Sequence, residues 1–164
     1  MVRIDLAGAI GPLQMNRSRR AQVIAYVGTP QVDRHGGNYE VLAYGCPAGT
    51  ATRQFWTSYV VPCQTAFYLV DRRLSLFFTQ DRRFAEAAGV RIGTPTQRAE
   101  RLLHQKAFSG CTDAIGLQGK HTRMTVSLDG GKLQIVGANH YLVGGHVDAF
   151  YLHGRRDPGV TDCD

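Results

Sequence analysis

The sequence predicts an α+β fold of two tandem units, each a helix followed by an antiparallel meander, which form one sheet covered by helices on one face. A glycine- and proline-marked turn opens a helical pattern twice, at Gly11-Pro12 and at Gly93-Thr94-Pro95. After each pattern the apolar period changes to two, as in antiparallel strands. We interpret this shared order as a weak internal repeat of about 80 residues, with a first helix/strand unit at residues 1–83 and a second at 84–164.

In the first unit we expect a helix that is capped by Asn16 or Ser18 and ends at Gly28-Thr29-Pro30. Strands then follow, and Asp71-Arg72-Arg73 turns the last two into a hairpin with one apolar face. The strands of this unit are expected at Tyr39–Gly45, Gln64–Val70 and Leu74–Thr79.

In the second unit Thr94 and Gln97 form a capping box around Pro95, which predicts a helix that ends near Phe108. Two glycine pairs then predict two hairpin turns. The first is Asp129-Gly130-Gly131, after Met124, Val126 and Leu128. The second is Gly144-Gly145, which joins His140–Val143 to His146–His153.

Charge and hydropathy narrow the class of partner. The net charge is +6, from sixteen arginines and three lysines against thirteen acids. The arginines are spread along the chain as pairs, so we interpret most of them as solvated surface and keep a polyanion-binding protein as the weaker alternative. Basic runs with interleaved aromatic residues, typical of nucleic-acid binding, are missing from the sequence. Apolar stretches of about 18 residues, which a membrane span needs, are missing as well.

The four cysteines allow three disulfide pairings, and none forms a Cys-x-x-Cys pattern. The repeat favours one bridge within each unit, Cys46 with Cys63 and Cys111 with Cys163. Because disulfides form in oxidising compartments, we expect a protein that is secreted or in the cell envelope, with any signal peptide already removed from this chain. Four reduced cysteines in a cytosolic protein are the alternative.

The residues Gly89-Val90-Arg91-Ile92-Gly93-Thr94-Pro95, followed by a short helix, a cysteine and a glycine-turned meander, resemble one half of a beta-lactamase inhibitor protein. They are also similar to the single unit of the SmpA/BamE-type outer-membrane lipoproteins. The resemblance implies an exported, non-enzymatic protein whose sheet offers a concave face to a partner protein. The long separation of Cys111 from Cys163 departs from the inhibitor pattern of local bridges, and we transfer no inhibitory residue.

We therefore predict a secreted protein-binding module without a cofactor, whose partner is another protein, either an enzyme that it inhibits or an envelope component. Interface hot spots favour aromatic residues and arginine, so the candidate contact residues are Arg53, Phe55, Trp56, Tyr59, Tyr141 and Tyr151.

Two enzymatic alternatives remain open. A small hydrolase or metal-dependent enzyme could use a zinc site in the last meander. Its candidate ligands are His140, His146, Asp148 and His153. A thiol nucleophile is the second alternative, in which Cys111 pairs with His121 or His140 near Asp113.

Overall fold

The computed structural model describes residues 1–49, 63–110 and 113–155, and in these ranges the protein is mostly β. It has two helices of eight residues each, α1 (Arg20–Val27) and α2 (Thr96–Leu103). The strands are β1 (Val2–Ile4), β2 (Ala9–Ile10), β3 (Leu13–Gln14), β4 (Val32–Gly36), β5 (Tyr39–Tyr44), β6 (Thr65–Val70), β7 (Arg73–Thr79), β8 (Phe84–Glu86), β9 (Phe108–Ser109), β10 (Asp113–Gln118), β11 (Arg123–Val136) and β12 (Asn139–His153).

The strands form a large and a small sheet. The large sheet has eight antiparallel strands in the order β4-β5-β6-β7-β12-β11-β10-β9. The small sheet has the order β3-β2-β1-β8, and its β1 and β8 are parallel. In the large sheet β7 pairs with β12 through Leu76–Thr79, so strands from both halves of the chain belong to one sheet. The division into units at residues 83 and 84 stays a prediction.

The expected α+β fold with helices covering a sheet is wrong. The structure is mostly β, and one face of the large sheet shares a core with the small sheet and with the two short helices, which contribute Val23 and Ala99. The small sheet was missed because strands of two or three residues are too short to show a period of two. The main core joins side chains of both sheets, among them Ile4, Ile10, Leu13, Phe67, Phe77, Phe84 and Phe150.

Around β6 and β7 the opposite face of the large sheet is buried as well, so the expected hairpin with a single apolar face is also wrong. Strands buried on both faces are near-continuously apolar, and β6 and β7 have this composition. The turn at Asp71-Arg72 is confirmed, since Val70 pairs with Arg73. The second cluster comprises Val32, Val41, Ala43, Cys63, Ala66, Tyr68, Leu76, Phe78 and Ala149.

Both helices are shorter than expected. Helix α1 has Arg19 as its N-cap, and the Arg19 backbone N–H donates to the Gln22 side chain over 2.9 Å. Helix α2 ends at Leu103 rather than near Phe108, because His104 adopts the left-handed conformation with φ 53°. The Thr94 hydroxyl accepts from the Arg91 N–H, so it does not cap α2.

The two hairpin turns expected at glycine pairs are wrong. Strands β11 and β12 form one long hairpin whose two-residue turn is Gly137-Ala138, since Val136 pairs with Asn139. The glycine pairs lie inside this hairpin, where Gly131 is opposite Gly144. Glycine pairs permit positive φ at a turn or at an interruption in a strand, and local sequence does not distinguish the two.

The predicted disulfide between Cys46 and Cys63 is confirmed. It connects the residues that follow β5 and precede β6, two neighbouring antiparallel strands. The predicted pairing of Cys111 with Cys163 lies outside the described residues. The described helices are both too short to cross a membrane.

Candidate protein-binding surface

The far end of the β11–β12 hairpin extends beyond its neighbouring strands. Within the described residues, β10 pairs with β11 only as far as Leu128, and β7 pairs with β12 only from Phe150 onward. We call residues 129–146 the distal ribbon. Among the described residues, the outer edges of 131–136 and 139–143 have no neighbouring strand. Such edges present backbone N–H and C=O groups that another chain can pair with.

The distal ribbon exposes apolar side chains on both faces. Residues directly opposite each other in an antiparallel pair share a face. Leu133 is opposite Leu142, so Leu133 and Ile135 lie on the face of Leu142. Tyr141 and Val143 lie on the other face. The apolar side chains of the ribbon that are between 37% and 63% exposed are Leu133, Ile135, Val136, Tyr141 and Val143.

Glycines allow the ribbon to leave regular strand geometry. Gly130, Gly144 and Gly145 have φ between 72° and 77°, a conformation that residues with a Cβ rarely adopt. A Cβ on Gly145 would lie 2.7 Å from both the Asp129 carbonyl oxygen and the Gly131 nitrogen. Strands β11 and β12 therefore approach each other too closely at Gly145 for a residue with a Cβ at this position.

A groove of about 700 Å³ separates the distal ribbon from α2. The start of α2 is attached to β12, because the Gly93 N–H donates to the Val147 carbonyl over 2.7 Å and the Val147 N–H donates to the Thr94 carbonyl over 2.9 Å. Arg101 and His104 line the α2 side of the groove, and His140–Val143 line the ribbon side. Phe108, which follows α2, is 54% exposed.

A separate charged cluster connects α1 to the β4–β5 hairpin. The Arg20 guanidinium donates to both Asp33 carboxylate oxygens, over 2.8 and 2.6 Å, and it also forms an ion pair with Glu40. His35 Nε2 is 3.0 Å from Asp33. The hydrogen bonds from Arg20 lower the pKa of Asp33.

This cluster has a possible set of metal ligands, since one ligand atom each of Asp33, His35 and Glu40 lies within 4.8 Å of the others. However, the Arg20 guanidinium already forms ion pairs with both carboxylates. We interpret the cluster as an ion-pair network that attaches α1 to the sheet.

The structure does not bring the predicted zinc ligands together. Along β12, His140 pairs with Ile135 near the tip, His146 with Asp129, and His153 with Arg123 at the far end. At about 3.3 Å per residue, His140 and His153 are roughly 40 Å apart along the strand. Asp148 is the extra residue of a bulge opposite Ser127 and Leu128. The thiol alternative depends on Cys111, which lies outside the described residues.

The structure places two of the six predicted contact residues. Tyr141 is exposed on the distal ribbon. Tyr151 lies in the body of the sheet, with its ring centroid 4.9 Å from that of Phe78, so it belongs to the second core cluster. The other four, which are Arg53, Phe55, Trp56 and Tyr59, lie outside the described residues.

Sequence reasoning missed the aliphatic part of the surface. The run from Lys132 to Val136 alternates as a strand should, but a strand pattern does not tell which face is buried. The signal that could have identified the ribbon is the triplet Gly137-Ala138-Asn139 between two apolar runs, with glycine at the first central position of a two-residue turn.

Comparisons with known proteins concern the fold. No protein-family model matches the sequence, and no curated protein matches it. The crystal structure of YfeY from Escherichia coli, described as an uncharacterized protein, is similar with a TM-score of 0.53 at 14% identity, over 92% of this chain and 99% of that one. An extracellular protein with an SCP domain from Bacillus anthracis aligns with a TM-score of 0.43 at 11% identity, over 89% of this chain and 50% of that one. This chain thus shares its overall fold with YfeY, and the resemblance to the beta-lactamase inhibitor proteins stays a prediction.

Proposed function

We propose that this protein is an exported, non-catalytic protein-binding module that contacts its partner through the distal ribbon. The exposed apolar side chains on both ribbon faces carry this proposal. Clustered apolar side chains of this kind are typical of interaction sites rather than of inert surface. A projecting hairpin can also enter a cleft of the partner, which a flat sheet face cannot do.

The disulfide supports the part of the proposal that concerns export. Cys46 and Cys63 are bonded, and Cys63 is buried with 2% of its surface exposed. Structural disulfides persist in oxidising compartments and are rare in the cytosol. The protein would therefore meet its partner outside the cytoplasm or in the cell envelope.

Site-specific photo-crosslinking tests the proposed surface. The photoreactive amino acid p-benzoylphenylalanine replaces Tyr141 in the source organism, and in a matched variant it replaces Tyr26, an exposed tyrosine of α1. We expect one discrete protein adduct from position 141 and none of that mass from position 26. Excess wild-type protein should lower the yield of the adduct by competing for the partner, whereas excess Ile135→Lys variant should not. Identical adducts from both positions, or no adduct from position 141, would contradict the proposal.

A further inference from the structure

The groove beside α2 follows the edge of a strand. Successive side chains of a strand point to opposite faces, yet His140, Tyr141, Leu142 and Val143 all line this groove. Residues from both faces of a strand line one groove where it reaches the strand's edge, and this groove also extends to Gln134 of β11. Within the described part of the chain, the outer edge of β12 pairs with β7 only from Phe150 and with Pro95 only at His146, so residues 139–143 have no neighbouring strand.

We propose that an extended, acidic polypeptide segment binds in this groove by adding a strand to β12 at residues 139–143. This inference rests on the proposed function and specifies its partner. In strand addition the main-chain hydrogen bonds provide affinity, and pockets for alternate side chains provide specificity. Five residues of strand offer about 17 Å of edge, which is the length of an ordinary strand.

The charges of the groove indicate an acidic segment. Arg101 of α2 and His104, which follows α2, line one side of it, and His140 lines it from the ribbon. The carboxylate in the described part of the groove, that of Glu100, is already occupied: it accepts from the Ala107 N–H over 3.0 Å and lies 3.3 Å from the Lys106 ammonium. Carboxylates on an incoming strand would complement the Arg101 guanidinium and could accept hydrogen bonds from imidazole N–H groups.

Two other occupants fit the groove less well. A second copy of this chain would bring two Arg101 side chains into the same interface, on a protein with net charge +6. A lipid surface would contact the apolar side chains, but hydrocarbon cannot pair with the open N–H and C=O groups of β12. An acidic polypeptide segment complements the side chains, the charge and the backbone groups of the groove together.

Peptide titration of the ¹⁵N-labelled protein, residues 1–164, tests this inference. The probe is a capped heptapeptide that alternates valine with aspartate or glutamate. One comparison peptide has lysine in place of the acids, and the other is the acidic peptide N-methylated at two successive central residues, which removes an N–H from each of its edges. We expect saturable amide shifts at residues 139–143 with the acidic peptide, and affinities lower by about tenfold or more for both comparison peptides.

A charge-reversal pair makes the test specific. Arg101→Glu should weaken binding of the acidic peptide about tenfold, whereas Arg82→Glu, an equal charge change in the β7–β8 connection, should change it less than about twofold. Strand addition is overturned if no saturable shift occurs at about 5 mM peptide, well above a weak Kd of about 1 mM. It is also overturned if either comparison peptide binds equally well.

A lipid surface or a second copy of this chain in the groove would each give a different experimental result. Ile135-dependent binding to phosphatidylglycerol vesicles, without peptide binding, would overturn the inference in favour of a lipid surface. A concentration-dependent dimer that Ile135→Lys dissociates would overturn it in favour of a second copy. A protein adduct from position 141 without peptide binding would overturn strand addition alone and leave the proposed function standing.

Discussion

Two adjacent residues in the left-handed conformation close the β6–β7 hairpin. Asp71 has φ 48° and Arg72 has φ 65°, as the two central positions of a type I′ turn require. Arginine is a poor residue there, because its Cβ crowds the backbone in this region. We expect Arg72→Gly to raise the free energy of unfolding by about 0.5–1 kcal/mol, after allowing for the greater entropy of the unfolded glycine variant. Urea unfolding followed by circular dichroism measures this change.

The matched control is Arg73→Gly, one residue further along, where the backbone is already that of β7 and pairs with Val70. Glycine inside a strand lowers stability by about 0.5–1 kcal/mol, so the two variants should shift in opposite directions. An equal loss of stability in both variants would show that the left-handed conformation of Arg72 does not destabilise the turn.

The Arg20 cluster predicts a pH-dependent stability. Because Arg20 lowers the pKa of Asp33, the stabilisation is fully present above the ordinary carboxyl value of 3.8 and is lost as the pH falls through the lower folded value. Both side chains are about one-third exposed, so we expect Arg20→Met to cost only about 1 kcal/mol at neutral pH. The difference from wild type should disappear in acid. Arg17→Met removes an exposed arginine outside the described ion pairs, so its difference in stability from wild type should not change with pH.

At the scale of elements, two glycines of the distal ribbon allow the cost of a side chain at positive φ to be distinguished from the cost of a steric clash. Gly144 and Gly145 both have positive φ, but a Cβ on Gly144 meets open space, whereas one on Gly145 meets backbone at 2.7 Å. Gly144→Ala should cost about 1 kcal/mol through the strained backbone alone. Gly145→Ala should cost about 2–3 kcal/mol, because two strands must also move apart. Hydrogen exchange of the ribbon amides would show this opening, and equal exchange in both variants would contradict it.

These elements also show what the sequence could predict. Strands β6 and β7 and their turn were predictable, because apolar runs and a polar turn are local signals. The glycine pairs were misread, because whether they form a turn depends on which residues lie opposite, and that alignment is set by the sheet. For the candidate site, Tyr141 was predictable from its residue type. The exposure of Leu133 and Ile135 depends on how far β10 pairs along β11, which their own sequence does not encode.

At the scale of the whole molecule, the two halves depend on each other. Strand β1 pairs with β8 in the small sheet, and β7 pairs with β12 in the large sheet. Separating the chain after residue 83 would expose the edges of all four strands. It would also divide the main core, in which Ile4 and Phe77 of the first half cluster with Phe84 and Phe150 of the second.

We therefore expect the full chain to unfold in urea in one cooperative transition, and the separate fragments 1–83 and 84–164 to lack cooperative unfolding. Each fragment is near the size at which a lone core becomes marginal, and here each would carry only half of a shared core. An equimolar mixture should regain strand structure, because the β7–β12 edges are complementary. If either fragment unfolds cooperatively alone, that half has a self-sufficient core. The pairings across residues 83 and 84 would then join two independent domains, rather than complete a single fold.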